Sequence, residues 1–387
     1  MPRVLLDNAS GTPLLPEVRQ AMTAALEQAG NPSSLHAEGR AARQSMTKAR
    51  AQVASLIHAK PDEIVFTSCG TESNNWAIKG LLAANKRKGN HLIVSSIEHP
   101  SVLLIAKRLE REGADVTYLP VDGKGRASPE SLRAAMTPTT ALVSIMHANG
   151  EVGTIQPIAE LSRIAHDGGA LFHADAIASA GWAPLDVATL GADALSLAAN
   201  QFHGPSGVAA LYVRSGARIL PLLEGGGQEV GMRSGTENLP GIVGMGQAAE
   251  LAIARLSTGE TARIAQLRDR LRDGLLARIE DVRLNGSWSH RLPHHLHVCF
   301  HGASSESLIL GLDQAGIAAG IGSACNSKTM RPSHVLKAMG LSDDEAMGAT
   351  LFTLSALTTQ AEIDQAIERL PGVVERLRRV TALTAAR

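Results

Sequence analysis

Between residues 64 and 213 the chain alternates two hydrophobic periods. Short, continuously apolar runs at 64–67, 91–95, 116–119, 141–146, 170–174, 192–197 and 208–213 predict strands. Between several of them, residues 71–85, 101–111, 129–136 and 158–166 carry apolar positions on one helical face. Strands that are apolar along their whole length are covered on both faces, so this pattern predicts a mostly parallel sheet in an α/β domain. Upstream, residues 4–6 predict a short extended segment, and 14–28 and 40–59 predict helices on either side of a polar loop at 30–39. From about Gly241 the texture changes. Two long helical patterns, interrupted near Gly259, lead into short strands at 295–300 and 351–354 with a helix at 305–315. This predicts a smaller α+β domain with a boundary near residue 250.

Composition narrows the function. The 387 residues hold 37 Lys+Arg against 37 Asp+Glu, so no charge excess favours nucleic acid or an anionic membrane. Two Tyr, three Trp and five Phe supply too few rings for a single-strand stacking surface. No stretch approaches the ~20 apolar residues of a membrane span, and the first residues form no signal-like apolar run. The three cysteines, Cys69, Cys299 and Cys325, are distant and odd in number, which predicts a reducing, cytoplasmic setting rather than a disulfide framework.

Candidate chemistry collects at strand ends and in one loop. Cys325 lies among Ser323, Asn326, Ser327 and Lys328, in a predicted loop before a helix that starts after Pro332. A thiol in a polar loop beside a cation is a place for a reactive thiolate, although an unreactive surface cysteine fits the same context. Gly70-Thr71-Glu72-Ser73 follows a strand and opens a helix, as an anion site or an ordinary cap would. His99 follows another strand, and Asp175 ends a third, where open α/β sheets bind ligands. A carboxylate there can hold the protonated nitrogen of a pyridine ring. His294, His295 and His297 read as a solvated strand edge, with His295 and His297 on one face. Gly225–Gly227 reads as a connection, and Cys69 as a small core residue.

Taken together, LDNASGTP near the start, GNPSSLHAEGR at 30–40, FTSCGTESNN at 66–75, SIEHPSV at 96–102, HADA at 173–176, FHGPSG at 202–207, MRSGTEN at 232–238 and GSAC at 322–325 show that the chain resembles the cysteine desulfurases, in the class V aminotransferase group of fold-type I pyridoxal phosphate (PLP) enzymes. The resemblance implies the fold-type I architecture: a mostly parallel seven-stranded sheet in a large domain at 15–250, and a small α+β domain of 1–14 plus 251–387 carrying the Cys325 loop. It further implies that Thr71 touches the PLP phosphate, that His99 stacks on the ring, and that Asp175 pairs with the ring nitrogen. Thr236 would reach the phosphate of a neighbouring subunit, which implies a homodimer. Cys325 would take sulfur from L-cysteine as a persulfide and pass it to an acceptor or scaffold protein.

Several positions depart from the family pattern. Gln201 stands where the Schiff-base lysine is expected, and no lysine lies between Lys124 and Lys328. An amide does not condense with an aldehyde. Ala198 and Asn200 replace phosphate-holding Ser and His, Gly150 and Ala178 replace ring contacts, and Ala356 replaces the arginine that clamps the substrate carboxylate. These losses lead to the expectation of a protein that works in sulfur transfer or iron–sulfur metabolism through Cys325, as persulfide carrier or cluster ligand, with a vestigial PLP pocket. The alternatives are a desulfurase or related lyase with noncovalently held PLP, and a non-catalytic partner subunit.

Overall fold

The structure is a computed structural model that describes residues 3–322 and 332–385. The Cys325 loop, with Lys328, lies outside the described residues. In chain order the elements are β1 (Val4–Leu6), α1 (Pro16–Leu26), α2 (Ala37–Leu56), β2 (Ile64–Thr67), α3 (Gly70–Ala84), β3 (His91–Ser95), α4 (Pro100–Arg111), β4 (Asp115–Leu119), α5 (Pro129–Ala135), β5 (Thr140–Ser144), α6 (Ile158–Asp167), β6 (Leu171–Asp175), α7 (Val187–Leu190), β7 (Ala194–Ala198), β8 (Ala209–Val213) and α8 (Leu239–Ser257). They continue as α9 (Glu260–Leu276), β9 (Val282–Leu284), β10 (His295–Phe300), α10 (Ser305–Gln314), β11 (Ile317–Ala319), α11 (His334–Ala338), α12 (Asp343–Ala346), β12 (Ala349–Thr353) and α13 (Gln360–Ala385).

The seven predicted strands form one sheet in the order β2-β8-β7-β6-β5-β3-β4. It is parallel except at β8, which runs antiparallel to both β2 and β7. Period-2 geometry splits each strand between two cores. Ile93, Val143 and Phe172 face the core that includes residues of α2, α6 and α8, while Leu92, Val94 and Leu142 face Trp76, Ile78 and Leu81 of α3. Burial on both faces is why the strands read as unbroken apolar runs.

β1 pairs in parallel with β11, and β10 is the centre of a second sheet, β12-β10-β9. Leu296, Val298 and Phe300 point into a core shared with residues of α9, α10 and α13. The opposite face of β10 carries His295, His297 and Cys299, and it is also buried, at 1%, 0% and 0% exposure. The solvated-edge reading of these histidines is therefore corrected. β10 is a central strand, not an edge, and the loop at 149–154 covers its polar face, with His295 Nε2 3.0 Å from the Gly150 carbonyl oxygen. His294, off the strand end, stacks on Trp182 with ring centroids 4.2 Å apart.

One buried ion pair predicts how stability depends on pH. Asp193 is fully buried and accepts from His166 Nε2 at 2.8 Å, Phe172 N at 2.7 Å and Arg214 Nε at 2.8 Å. Burial alone pushes its carboxyl up, but these donors hold it below the ordinary value, and the same bond raises His166. The Asp193 contribution is present above its unfolded pKa of about 3.9 and is lost as pH falls through the lower folded value. The His166 contribution is present below about 6.5 and is lost as pH rises through the raised folded value. D193N is expected to cost about 1–3 kcal/mol at neutral pH and to flatten both limbs, as measured by urea unfolding from acid to mild alkali.

Candidate active site

The carboxyl ends of β3, β5, β6 and β7 open into one cavity of about 370 Å³. Its wall is completed by the start of α3, by Asp7, Ala9 and Ser10, and from the other side by His295, Gly320–Gly322 and His334. Of the predicted site residues, Thr71, His99, Asp175 and Gln201 line it together. Thr236 does not. It is exposed on the loop between β8 and α8, and Arg233 ties that loop to the first turn of α3 by bonding Glu72 at 2.8 Å.

Asp175 ends β6, buried, with both oxygens held. Asn74 Nδ2 donates to Oδ2 at 2.7 Å, and the Ile177 N–H donates to Oδ1 at 3.0 Å. Burial raises its pKa. The second hydrogen of the Asn74 amide goes to Ser101 Oγ at 2.9 Å, and that hydroxyl lies 2.8 Å from His99 Nδ1. The Ser101 N–H also donates to His99 Nδ1, at 3.1 Å, so a neutral His99 keeps its proton on Nε2. One chain of bonds thus fixes the carboxylate and the imidazole relative to each other. Sequence reasoning missed Asn74 and Ser101. Both lie in quoted segments, but only the tertiary fold shows that α3 turns Asn74 toward β6.

α3 opens at Gly70, where an added Cβ would sit 2.2 Å from Ile177 Cδ1. Any larger residue there would require the Ile177 side chain to shift, and Thr71 follows, exposed at the cavity. The cap residue is Cys69, with no side-chain cap bond. Its predicted place in the core is corrected: the thiol is exposed, because the strand-to-helix turn faces the cavity.

Gln201 closes a short turn after β7. Its Nε2 donates to the Ala9 carbonyl at 2.9 Å, and its own carbonyl accepts from Trp182 Nε1 at 2.7 Å. The side chain therefore serves as a tie to the N-terminal segment. A Cβ built on Gly150 lies 3.6 Å from the Ala178 methyl, so two of the truncated positions adjoin. Ala356 is outside the cavity lining, its N–H donating to His203 Nε2 at 3.3 Å.

Two acids that sequence reasoning passed over also line the cavity. Glu98 Oε1 accepts from Ser95 Oγ and from Met146 N at 2.9 Å, while Oε2 is buried without a partner. Burial pushes Glu98 up to about 8. Glu151 is pushed up to about 7 by burial, against a hydrogen bond from Ser333. Adjacent motif residues hid them, since a single Glu beside a His or an Asn has no distinctive spacing.

A carboxylate fixed by two donors, an imidazole fixed beside it and a helix start offering N–H groups suit an aromatic ring with a protonated nitrogen and a phosphate. Those residues fit PLP at its ring and phosphate ends. The fit stops at Gln201, which offers no amine.

This sheet, with such a cavity at its strand ends, defines the fold-type I class of PLP enzymes. The chain belongs to the Aminotransferase class-V family, which matches residues 4–365. It is 46% identical to the cysteine desulfurase IscS of Dictyoglomus turgidum over 98% of this chain and 96% of that protein. It is also 46% identical to the cysteine desulfurase IscS of Methanosarcina thermophila, over 98% and 94%. Among solved structures, a NifS-like protein superposes with a TM-score of 0.91 at 37% identity, covering 97% of this chain and all of that one. SspA in complex with cysteine superposes with a TM-score of 0.81 at 34% identity, over 92% and 100%. No described helix is long and apolar enough to cross a membrane.

Proposed function

We propose that this protein is a sulfur-transfer member of the cysteine desulfurase family that binds PLP noncovalently and accepts a cysteine-type substrate. The observation that carries this is the bonded set Asp175–Asn74–Ser101–His99 facing a cavity beside Thr71, with Gln201 turned to Ala9. Full-length similarity to cysteine desulfurases supports it over the reading in which PLP chemistry has been abandoned. Asp175 would hold the ring nitrogen, His99 the ring face, and Thr71 with the start of α3 the phosphate. The chemistry supplied by bound PLP is electron withdrawal from the carbon that carries the substrate amine. The protein's part is to bind, orient and exclude water. Cys325, outside the described residues, remains the proposed sulfur acceptor, with a partner protein downstream. The exposure of Thr236 away from its own chain's cavity supports a homodimer in which it serves the neighbour.

Adding PLP to the purified protein is expected to produce a visible absorption band that gel filtration removes. Borohydride should leave no mass increase, and L-cysteine should release alanine only while PLP is in excess. Absence of the band at large PLP excess would overturn the reading. In that case a persulfide label on Cys325, absent in C325S, would favour a PLP-free carrier.

A further inference from the structure

On the polar face of β10, His295 lines the cavity itself, and Glu151, another lining residue, lies against His297. Glu151 Oε1 and His297 Nε2 lie 3.7 Å apart. Both are buried, and neither has a hydrogen-bond partner among the described residues. A pair of orphaned buried atoms facing each other is costly unless the pair does something. The far side of His297 is fixed: Asn285 Nδ2 donates to Nδ1 at 3.0 Å and, with its other hydrogen, to Cys299 Sγ at 3.1 Å. A neutral ring held in this way carries its proton on Nε2, toward Glu151. Gly322, another residue of the cavity wall, packs against the Glu151 side chain. Its φ is +92°, and a Cβ there would lie 2.5 Å from Glu151 Cγ. Glycine is required for the backbone to take this conformation so close to the Glu151 side chain.

We propose that Glu151 is the group that exchanges a proton with a ligand in this cavity, and that His297, held by Asn285, is its positioning residue. The inference rests on the proposed PLP and cysteine site, where Gln201 has no proton to exchange. The protonated carboxyl gives its proton to a ligand atom and becomes a carboxylate, and the reverse transfer restores it. No oxidant or further reactant is consumed. His297 Nε2–H then turns from a distant neighbour into a donor to the charged form. The ionisable groups on the β10 side of Glu151 are His295, His297 and Cys299, with Arg291 acting on both histidines; the Ser333 hydroxyl lies beside the carboxyl and the Ile321 backbone beside His297. Burial holds His295 and His297 down at about 3 and Cys299 up at about 11, which leaves Glu151, near 7, as the member of this group poised at neutral pH.

The test is infrared difference spectroscopy of the ligand-free full chain across the neutral range, following the carboxylic-acid carbonyl band. Wild type is expected to show a band titrating near neutrality that E151Q removes, with a second band at higher pH that E98Q removes. H297F is expected to raise the Glu151 midpoint by about one unit through loss of the donor, and H297Q to keep it near wild type. Survival of the neutral band in E151Q, or an unmoved midpoint in H297F, would overturn the assignment. If E151Q fails to fold, the H297F and H297Q midpoints decide alone. Calorimetry of PLP addition in two buffers of different ionisation heat supplies a second readout. Proton exchange on binding should disappear in E151Q, and its persistence there would overturn the inference while leaving the proposed function intact. Failure of PLP to bind, with the infrared pattern as expected, would overturn the proposed function and support the Glu151 assignment.

Discussion

Q201K is expected to convert a cofactor lost on gel filtration into one retained at close to one PLP per chain. The reason is local. Position 201 lines the cavity at the end of β7, and its present side chain is occupied with the Ala9 carbonyl. Lysine restores an amine to that wall, and the bond to Ala9 is a single neutral hydrogen bond worth about 0.5–1.5 kcal/mol, so the fold should survive its loss. Borohydride treatment followed by mass spectrometry gives the decisive measurement: a gain equal to reduced PLP in Q201K and none in wild type. Alanine release should remain low in this single variant. Ala356 stands where the family resemblance implies a carboxylate-binding arginine, and a charge-assisted contact of that kind is worth about 1.5–3 kcal/mol. Q201K/A356R should therefore exceed Q201K by about 10–150-fold in kcat/KM. Equal rates in the two variants would show that the carboxylate is held elsewhere.

D175N should weaken PLP binding by about 10–150-fold, corresponding to about 1.5–3 kcal/mol for a lost charged partner. The present carboxylate accepts from Asn74 and from the Ile177 N–H, one per oxygen. An asparagine can satisfy only one of these donors with its oxygen, and its amide then faces the other donor. Some stability should be lost as well, so urea unfolding must accompany the binding titration. Because burial raises the Asp175 pKa, wild-type affinity should also fall on acidification as the carboxyl protonates. D175N should lose that acid limb. A binding curve unchanged by D175N would place the ring nitrogen away from β6.

The sheet was legible because its physics is local. A strand covered on both faces must be apolar throughout, and Leu92, Ile93 and Val94 declare this without reference to anything distant. The site was partly legible. Glycine at the start of α3, His99 after β3 and Asp175 at the end of β6 follow strands whose ends could be seen in the sequence. The absence of a lysine at 201 was visible there too. What the side chain of Gln201 does was not, since its partner Ala9 lies 192 positions away.

The chain alone therefore determined the strands of the large sheet, most of the helices between them and the residue types at the strand ends, because each depends on neighbours within a turn or a pleat; it left β9, β11 and the long α13 unread. The tertiary structure alone decided what those residues bond to. It joined Asn74 and Ser101 to Asp175 and His99, buried the β10 histidines by placing them on a central strand, and set His297 against Glu151 across 146 positions. Burial and distant partners govern the charge state of such groups, and neither quantity is carried by spacing along the chain.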